Sequence, residues 1–188
     1  MEQIKRISEF LEPEEIKQLL EQPDKRSLKG KRDYAILRFL LETGLRKSEL
    51  RSLRFSNIQN FNGTKVLIVK CLKKRKLKGK DGFRDKSLYR EIPLNESLVV
   101  AVERYRAAHG LSHDDYLFHT ISSGPFKSRP LTTKVIDVIC RQYLQSAEIT
   151  KRISPHSYRR SFATNILRNG GDLATVKDLL GHEHISST

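Results

Sequence analysis

The sequence predicts an α+β protein that is mainly α, a helical domain carrying one small three-stranded antiparallel sheet. Two observations lead there. Apolar residues recur every three to four positions in segments punctuated by Gly and Pro, which is the helical period. Between residues 55 and 93 that period gives way to near-alternation around Asn62-Gly63, the signature of a hairpin. A length of 188 residues suits one compact domain with a core of its own.

Each element has a local reason. Glu12-Pro13-Glu14-Glu15 opens a helix that runs to Leu20, with Pro13 in the first turn and acids at the positive end of the dipole. Gln22 to Lys31 is dense in charge and reads as a polar linker. From Arg32 to Thr43, the side chains Ile36, Leu37, Leu40 and Leu41 share one face, and Gly44 stops the helix as a C′ glycine. A short helix follows from Ser48 to Leu53. Strands fit Phe55 to Gln59, Lys65 to Lys70 and Leu88 to Pro93; in the last, Tyr89, Glu91, Ile92 and Leu94 suit a half-buried edge. Cys71 to Ser87, crowded with Lys and Arg and containing Gly79 and Gly82, reads as an exposed, mobile basic hairpin. Four helices complete the chain, at Asn95 to Ala108, Thr132 to Ser146, Ser157 to Arg168 and Asp172 to Leu180. Gly124, Pro125 and Pro130 mark the loop between the first two; Gly170-Gly171 and Gly181 punctuate the last two.

Charge supplies the first functional constraint. Lys and Arg number 36 against 22 acids, a formal net charge of +14. Such a surface attracts polyanions, chiefly nucleic acid, although charge alone fits an RNA-binding protein equally well. No apolar run approaches the roughly 20 residues that span a bilayer, so no membrane partner is expected. No apolar stretch follows Met1 to suggest a signal peptide. Cys71 and Cys140 are too few and too distant for a disulfide framework or a zinc site, so reduced thiols in a cytoplasm are expected, nucleoid-associated if the polyanion is DNA.

Four places carry candidate chemistry. In Thr43-Gly44-Leu45-Arg46-Lys47-Ser48-Glu49-Leu50, an arginine sits between a helix stop and a helix start, where guanidinium and backbone NH groups suit a phosphate. Alone, Arg46 reads first as a solvated surface arginine. In Pro155-His156-Ser157-Tyr158-Arg159-Arg160, His156 and Arg159 are spaced to share one helix face and one phosphate, or to act as a cap and a surface charge. In Leu179-Leu180-Gly181-His182, a histidine follows a helix end, where the dipole alone would favour it. Lys70 closes the second strand at the mouth of the basic hairpin. His182-Glu183-His184, and His109, His113 and His119 near Asp114 and Asp115, match no zinc spacing, so neither metal nor cofactor is expected.

Taken in order, Thr-Gly-Leu-Arg-x-Ser-Glu-Leu, His-x-x-Arg and Leu-Gly-His resemble the tyrosine recombinase, or phage integrase, family, in its Xer-like branch. The resemblance runs from the Glu14-Glu15 helix to Thr188. It implies the DNA breaking-rejoining fold and site-specific DNA recombination through a phosphotyrosine intermediate. It implies that Arg46 and Arg159 clamp the scissile phosphate. It makes Lys70 the general acid for the leaving 5′-hydroxyl, with Lys73 and Lys74 as alternates. It has His156 and His182 hydrogen-bond the reacting groups, and Glu49 brace Arg46. Lys73, Lys74, Arg75, Lys76, Lys78, Lys80 and Arg84 are expected to contact double-stranded DNA. Both arginines are expected to point into an open cleft. The family's nucleophile is expected shortly beyond Thr188. None of Tyr34, Tyr89, Tyr105, Tyr116, Tyr143 and Tyr158 sits at the motif position. Residues 1–188 are thus expected to form a catalytic domain without the N-terminal core-binding domain and the C-terminal tyrosine segment, and to be inactive for cleavage. The full-length form is expected to act as a tetramer on two duplexes. Two other readings remain open at this point, a non-catalytic DNA-binding remnant or regulator and a type IB topoisomerase-like domain.

Overall fold

A computed structural model describes residues 9–70, 89–120 and 129–181. Within them the helices are α1 (Pro13–Glu21), α2 (Leu28–Thr43), α3 (Lys47–Ser52), α4 (Glu96–His109), α5 (Thr133–Ser146), α6 (Pro155–Arg168) and α7 (Leu173–Leu180). The strands are β1 (Ile58–Phe61), β2 (Thr64–Lys70) and β3 (Tyr89–Pro93). They form one antiparallel sheet in the order β1-β2-β3. The fold is therefore α+β and mainly helical.

Helix α2 is the axis of the molecule. Ala35, Ile36, Leu37, Phe39, Leu40 and Leu41 are all buried, so apolar surface covers most of its circumference and the other helices pack around it. It starts at Leu28, within what the sequence presents as a polar linker. The reason is local, because the Ser27 hydroxyl accepts from the Gly30 amide at 2.9 Å and caps the helix a turn earlier than the apolar pattern begins. An ion pair and a tyrosine satisfy the Asp33 carboxylate that α2 buries. Arg32 donates to Asp33 Oδ1, and the Tyr143 hydroxyl donates to Asp33 Oδ2 at 3.1 Å.

The sheet register is Phe61 opposite Thr64 in the first hairpin and Lys70 opposite Tyr89 in the second. Asn62 and Gly63 take φ of 50° and 83°, the left-handed pair that a tight hairpin requires. Leu67, Val69 and Ile92 turn into the main core. The first strand begins later than the sequence suggests. Phe55–Asn57 is a 3-10 turn, closed by the Arg54 amide donating to Asn57 Oδ1 at 2.7 Å, and pairing starts at Ile58. A smaller cluster, Phe162, Ala163, Val176 and Leu180, joins α6 to α7. Among the described residues no helix is long and apolar enough to cross a membrane, and no group of three or more His, Cys, Asp or Glu gathers to hold a metal ion.

Candidate functional site

Glu49 organises the site. Its side chain is fully enclosed, at 0% exposure, and each carboxylate oxygen accepts twice. Oε1 accepts from Arg46 Nη1 at 3.0 Å and Arg90 Nη1 at 3.0 Å; Oε2 accepts from the Arg46 amide at 2.7 Å and Arg90 Nη2 at 2.9 Å. The local cause is helix capping. Arg46 is the N-cap of α3 with extended backbone, and Glu49 is the third helical residue, from which a glutamate reaches back to the cap amide. Arg46 keeps 28% of its side chain exposed, so its guanidinium reaches the surface from an anchored base.

Arg159 arrives from the second turn of α6. Its Nη1 donates to the Gly44 carbonyl at 2.6 Å, and its Nη2 donates to the Leu180 carbonyl. Both acceptors lie at helix C-termini, those of α2 and α7, where carbonyls lack helical partners and the dipole is negative. Gly44 makes this meeting possible. It has φ 58°, and a Cβ there would stand 2.5 Å from Phe162 Cδ1 and 2.7 Å from Leu180 Cδ2. Arg159 is only 6% exposed, which corrects the expectation that it points into an open cleft. A guanidinium held by two buried carbonyls has become part of the packing.

The electrostatics follow from this crowding. Burial lowers the Arg159 pKa to about 10; Arg46 pushes it the same way, Glu49 opposes, and Arg90 adds to the fall. Burial raises the Glu49 carboxyl, but the hydrogen bonds and charge of Arg90, and then those of Arg46, outweigh it and hold the group below the ordinary carboxylate value. Arg46 and Arg90 share one carboxylate, and Arg159 lies near enough to feel the charge of all three, so the cluster keeps an excess of positive charge and suits an anion. A cleft of about 640 Å³, lined by Lys25, Tyr34, Arg38, Ser97 and Arg104 among others, shares none of these residues.

A family model described as the phage integrase family matches residues 9–188. The chain belongs to the phage integrase family. This integrase domain is 38% identical to a tyrosine recombinase of Pseudothermotoga lettingae over 98% of its own length and 56% of the relative's. It is 33% identical to the tyrosine recombinase XerD of Staphylococcus haemolyticus, over 98% of this chain and 57% of that protein. The chain therefore spans somewhat more than half the length of these relatives. Among solved structures, a XerA recombinase superposes with a TM-score of 0.73 at 28% identity, over 95% of this chain and 57% of that one. A XerH site-specific recombinase bound to its difH substrate gives 0.71 at 25%, over 97% of this chain and 50% of that one. The Tn1549 transposon integrase in complex with transposon right end DNA gives 0.75 at 20%, over 100% of this chain and 62% of that one, a likeness of fold alone.

Within the integrase domain the structure brings together Arg46, Glu49 and Arg159. His156 stands exposed on the first turn of α6, three residues before Arg159. Lys70 ends β2 and is exposed; it pairs with Tyr89, next to Arg90 on β3. His182 lies outside the described residues, as do Lys73, Lys74, Arg75, Lys76, Lys78, Lys80 and Arg84. The residue that sequence reasoning missed is Arg90. Its signal was present in the phase of β3, where Arg90 and Ile92 alternate with exposed neighbours. An arginine in phase with a core isoleucine demands a buried acid.

Proposed function

We propose that this domain cuts and rejoins DNA strands within a site-specific recombinase, by phosphoryl transfer through a phosphotyrosine. The observation that supports the reading is the group of Arg46, Arg90 and Arg159 around the Glu49 carboxylate, an enclosed excess of positive charge at the meeting of two helix ends. Arg46 holds the scissile phosphate, and Arg159, its Nη atoms anchored on the Gly44 and Leu180 carbonyls, adds positive charge that stabilises what builds on the phosphate oxygens, a task for planar, permanently charged guanidinium. Glu49 keeps Arg46 in place. His156 and His182 add hydrogen bonds to the reacting groups. Lys70, or Lys73 or Lys74 beyond it, protonates the leaving 5′-oxygen. The basic residues from Lys73 to Arg84 grip flanking phosphates. The partner is double-stranded DNA, and the whole protein works as a tetramer on two duplexes. The attacking tyrosine lies beyond Thr188. Tyr158, beside Arg159 in sequence, is buried with its hydroxyl enclosed near the Cys140 thiol and its pKa raised well above the ordinary value, first by burial.

The test is a titration of a 20-base-pair duplex of mixed sequence at increasing salt. If about six phosphates are neutralised, log K falls with a slope near −5 against log salt. Arg46→Ala should weaken binding and reduce that slope by about one. No binding at low salt, or an Arg46→Ala protein that binds like the parent, overturns the reading.

A further inference from the structure

Arg90 is distant in sequence from every motif of the site, yet it touches three of its parts. Both Nη atoms donate to Glu49, at 3.0 and 2.9 Å, and Nε donates to the Leu179 carbonyl at 3.0 Å. Leu179 and Leu180 are consecutive, so Arg90 and Arg159 hold successive carbonyls in the last turn of α7. Gly181 closes that turn against Arg90, since a Cβ there would stand 3.3 Å from both Cδ and Nη1. Arg90 is also the second residue of β3, at the point where the chain returns from the basic segment 71–88.

Each of its three guanidinium nitrogens already donates within the protein, to Glu49 and to the Leu179 carbonyl. Its effect must pass through what it holds. Without Arg90, only the Arg46 amide holds Oε2, leaving the carboxylate freer to turn both oxygens onto the Arg46 guanidinium and cancel its charge. With Arg90 gripping both oxygens, Arg46 donates one side-chain hydrogen bond, from Nη1, and keeps 28% of its side chain exposed.

We infer that Arg90 is a positioning residue of this site. It holds Glu49 so that Arg46 stays available to a phosphate, and it ties the end of α7, two residues before His182, to the same carboxylate. The inference rests on the phosphate reading of the cluster.

The experiment is a double-mutant cycle on the full chain, with the same 20-base-pair duplex as probe and each variant first shown to be folded by its thermal transition. Arg90→Gln should weaken binding about tenfold, the scale of one lost hydrogen bond to a charged group. Arg46→Ala/Arg90→Gln should bind no worse than Arg46→Ala, because Arg90 acts through Arg46. Arg90→Lys keeps the charge but not the fork; it should recover part of the affinity, and it carries the same measurements if Arg90→Gln fails to fold. A second readout needs no DNA. In a carbon-13 titration of the Glu49 carboxyl, removing the Arg90 fork should move its midpoint upward. Wild-type affinity in a folded Arg90 variant, or losses that simply add, overturns the inference. If Arg46→Ala itself leaves binding unchanged, the phosphate reading fails instead, and the Glu49 titration alone decides whether Arg90 governs that carboxylate: an unmoved midpoint rejects it.

Discussion

Arg159 uses its guanidinium to tie the ends of two helices, and this changes what its removal should do. Arg159→Ala leaves the Gly44 and Leu180 carbonyls buried without that donor. Urea titration should show a stability loss of about 2–4 kcal/mol, at the usual cost of about 1–3 kcal/mol for each unsatisfied buried group. Arg46→Ala, more exposed, should lose less than about 1 kcal/mol by the same assay. The spacing of His156 and Arg159 was legible as one shared face. Which side of that face the fold encloses was not, because it depends on α7 arriving from 21 residues away. His119 offers a second test at this scale. It is buried, with Nδ1 2.7 Å from the Tyr105 hydroxyl, and burial lowers its pKa to about 4; the charges of His109 and Arg32 add to the fall, and Asp115 opposes. The folded value lies below the ordinary 6.5, so as pH falls the unfolded chain takes up its proton first. This contribution to stability is complete above pH 6.5 and is lost between there and about pH 4. Urea midpoints at pH 7 and 4.5 for the parent and His119→Asn should show the variant losing less over that interval. An equal loss would remove His119 as the cause.

At the scale of elements, α2, α4 and α7 all end in a left-handed glycine, and the surroundings of the first two differ. Gly44 and Gly110 have φ of 58° and 61°, but only Gly44 would bring a Cβ against Phe162 and Leu180; nothing lies within 4 Å at Gly110. Gly110→Ala should therefore cost about 1 kcal/mol, the strain of the backbone alone. Gly44→Ala should cost about 2–4 kcal/mol, since overpacking adds to that strain. Similar losses in chemical denaturation would mean that the smaller cluster yields more easily than its contacts imply. The helix stops were readable because glycine at such a position has one physical purpose. Helix starts were less so. Lys29 and Lys31 hid the first turn of α2 from an apolar count, and only the Ser27 hydroxyl marks it. The 3-10 turn at Phe55–Asn57 was read as strand because three residues are too few to reveal a period.

Across the whole molecule, the family and the order of its motifs were legible because each lies within a few consecutive residues. Arg46 and Glu49, three apart, could be paired from sequence; Arg90 and Glu49, 41 apart, could not, since only the antiparallel return of β3 brings them together. Three like charges around one carboxylate repel one another, and a bound oxyanion relieves that repulsion. Binding of such an anion stabilises the folded state by mass action. Millimolar inorganic sulfate should raise the melting temperature above that in chloride of equal ionic strength, and Arg46→Ala should lose most of the difference. An identical rise in the variant would assign the effect to general exclusion of sulfate from protein surfaces. The same linkage extends to abundance in a living cell. Molecules seated on phosphates resist unfolding, whereas any excess over the available sites is the first fraction exposed to proteases, so the number of binding sites would help set how much of the protein survives.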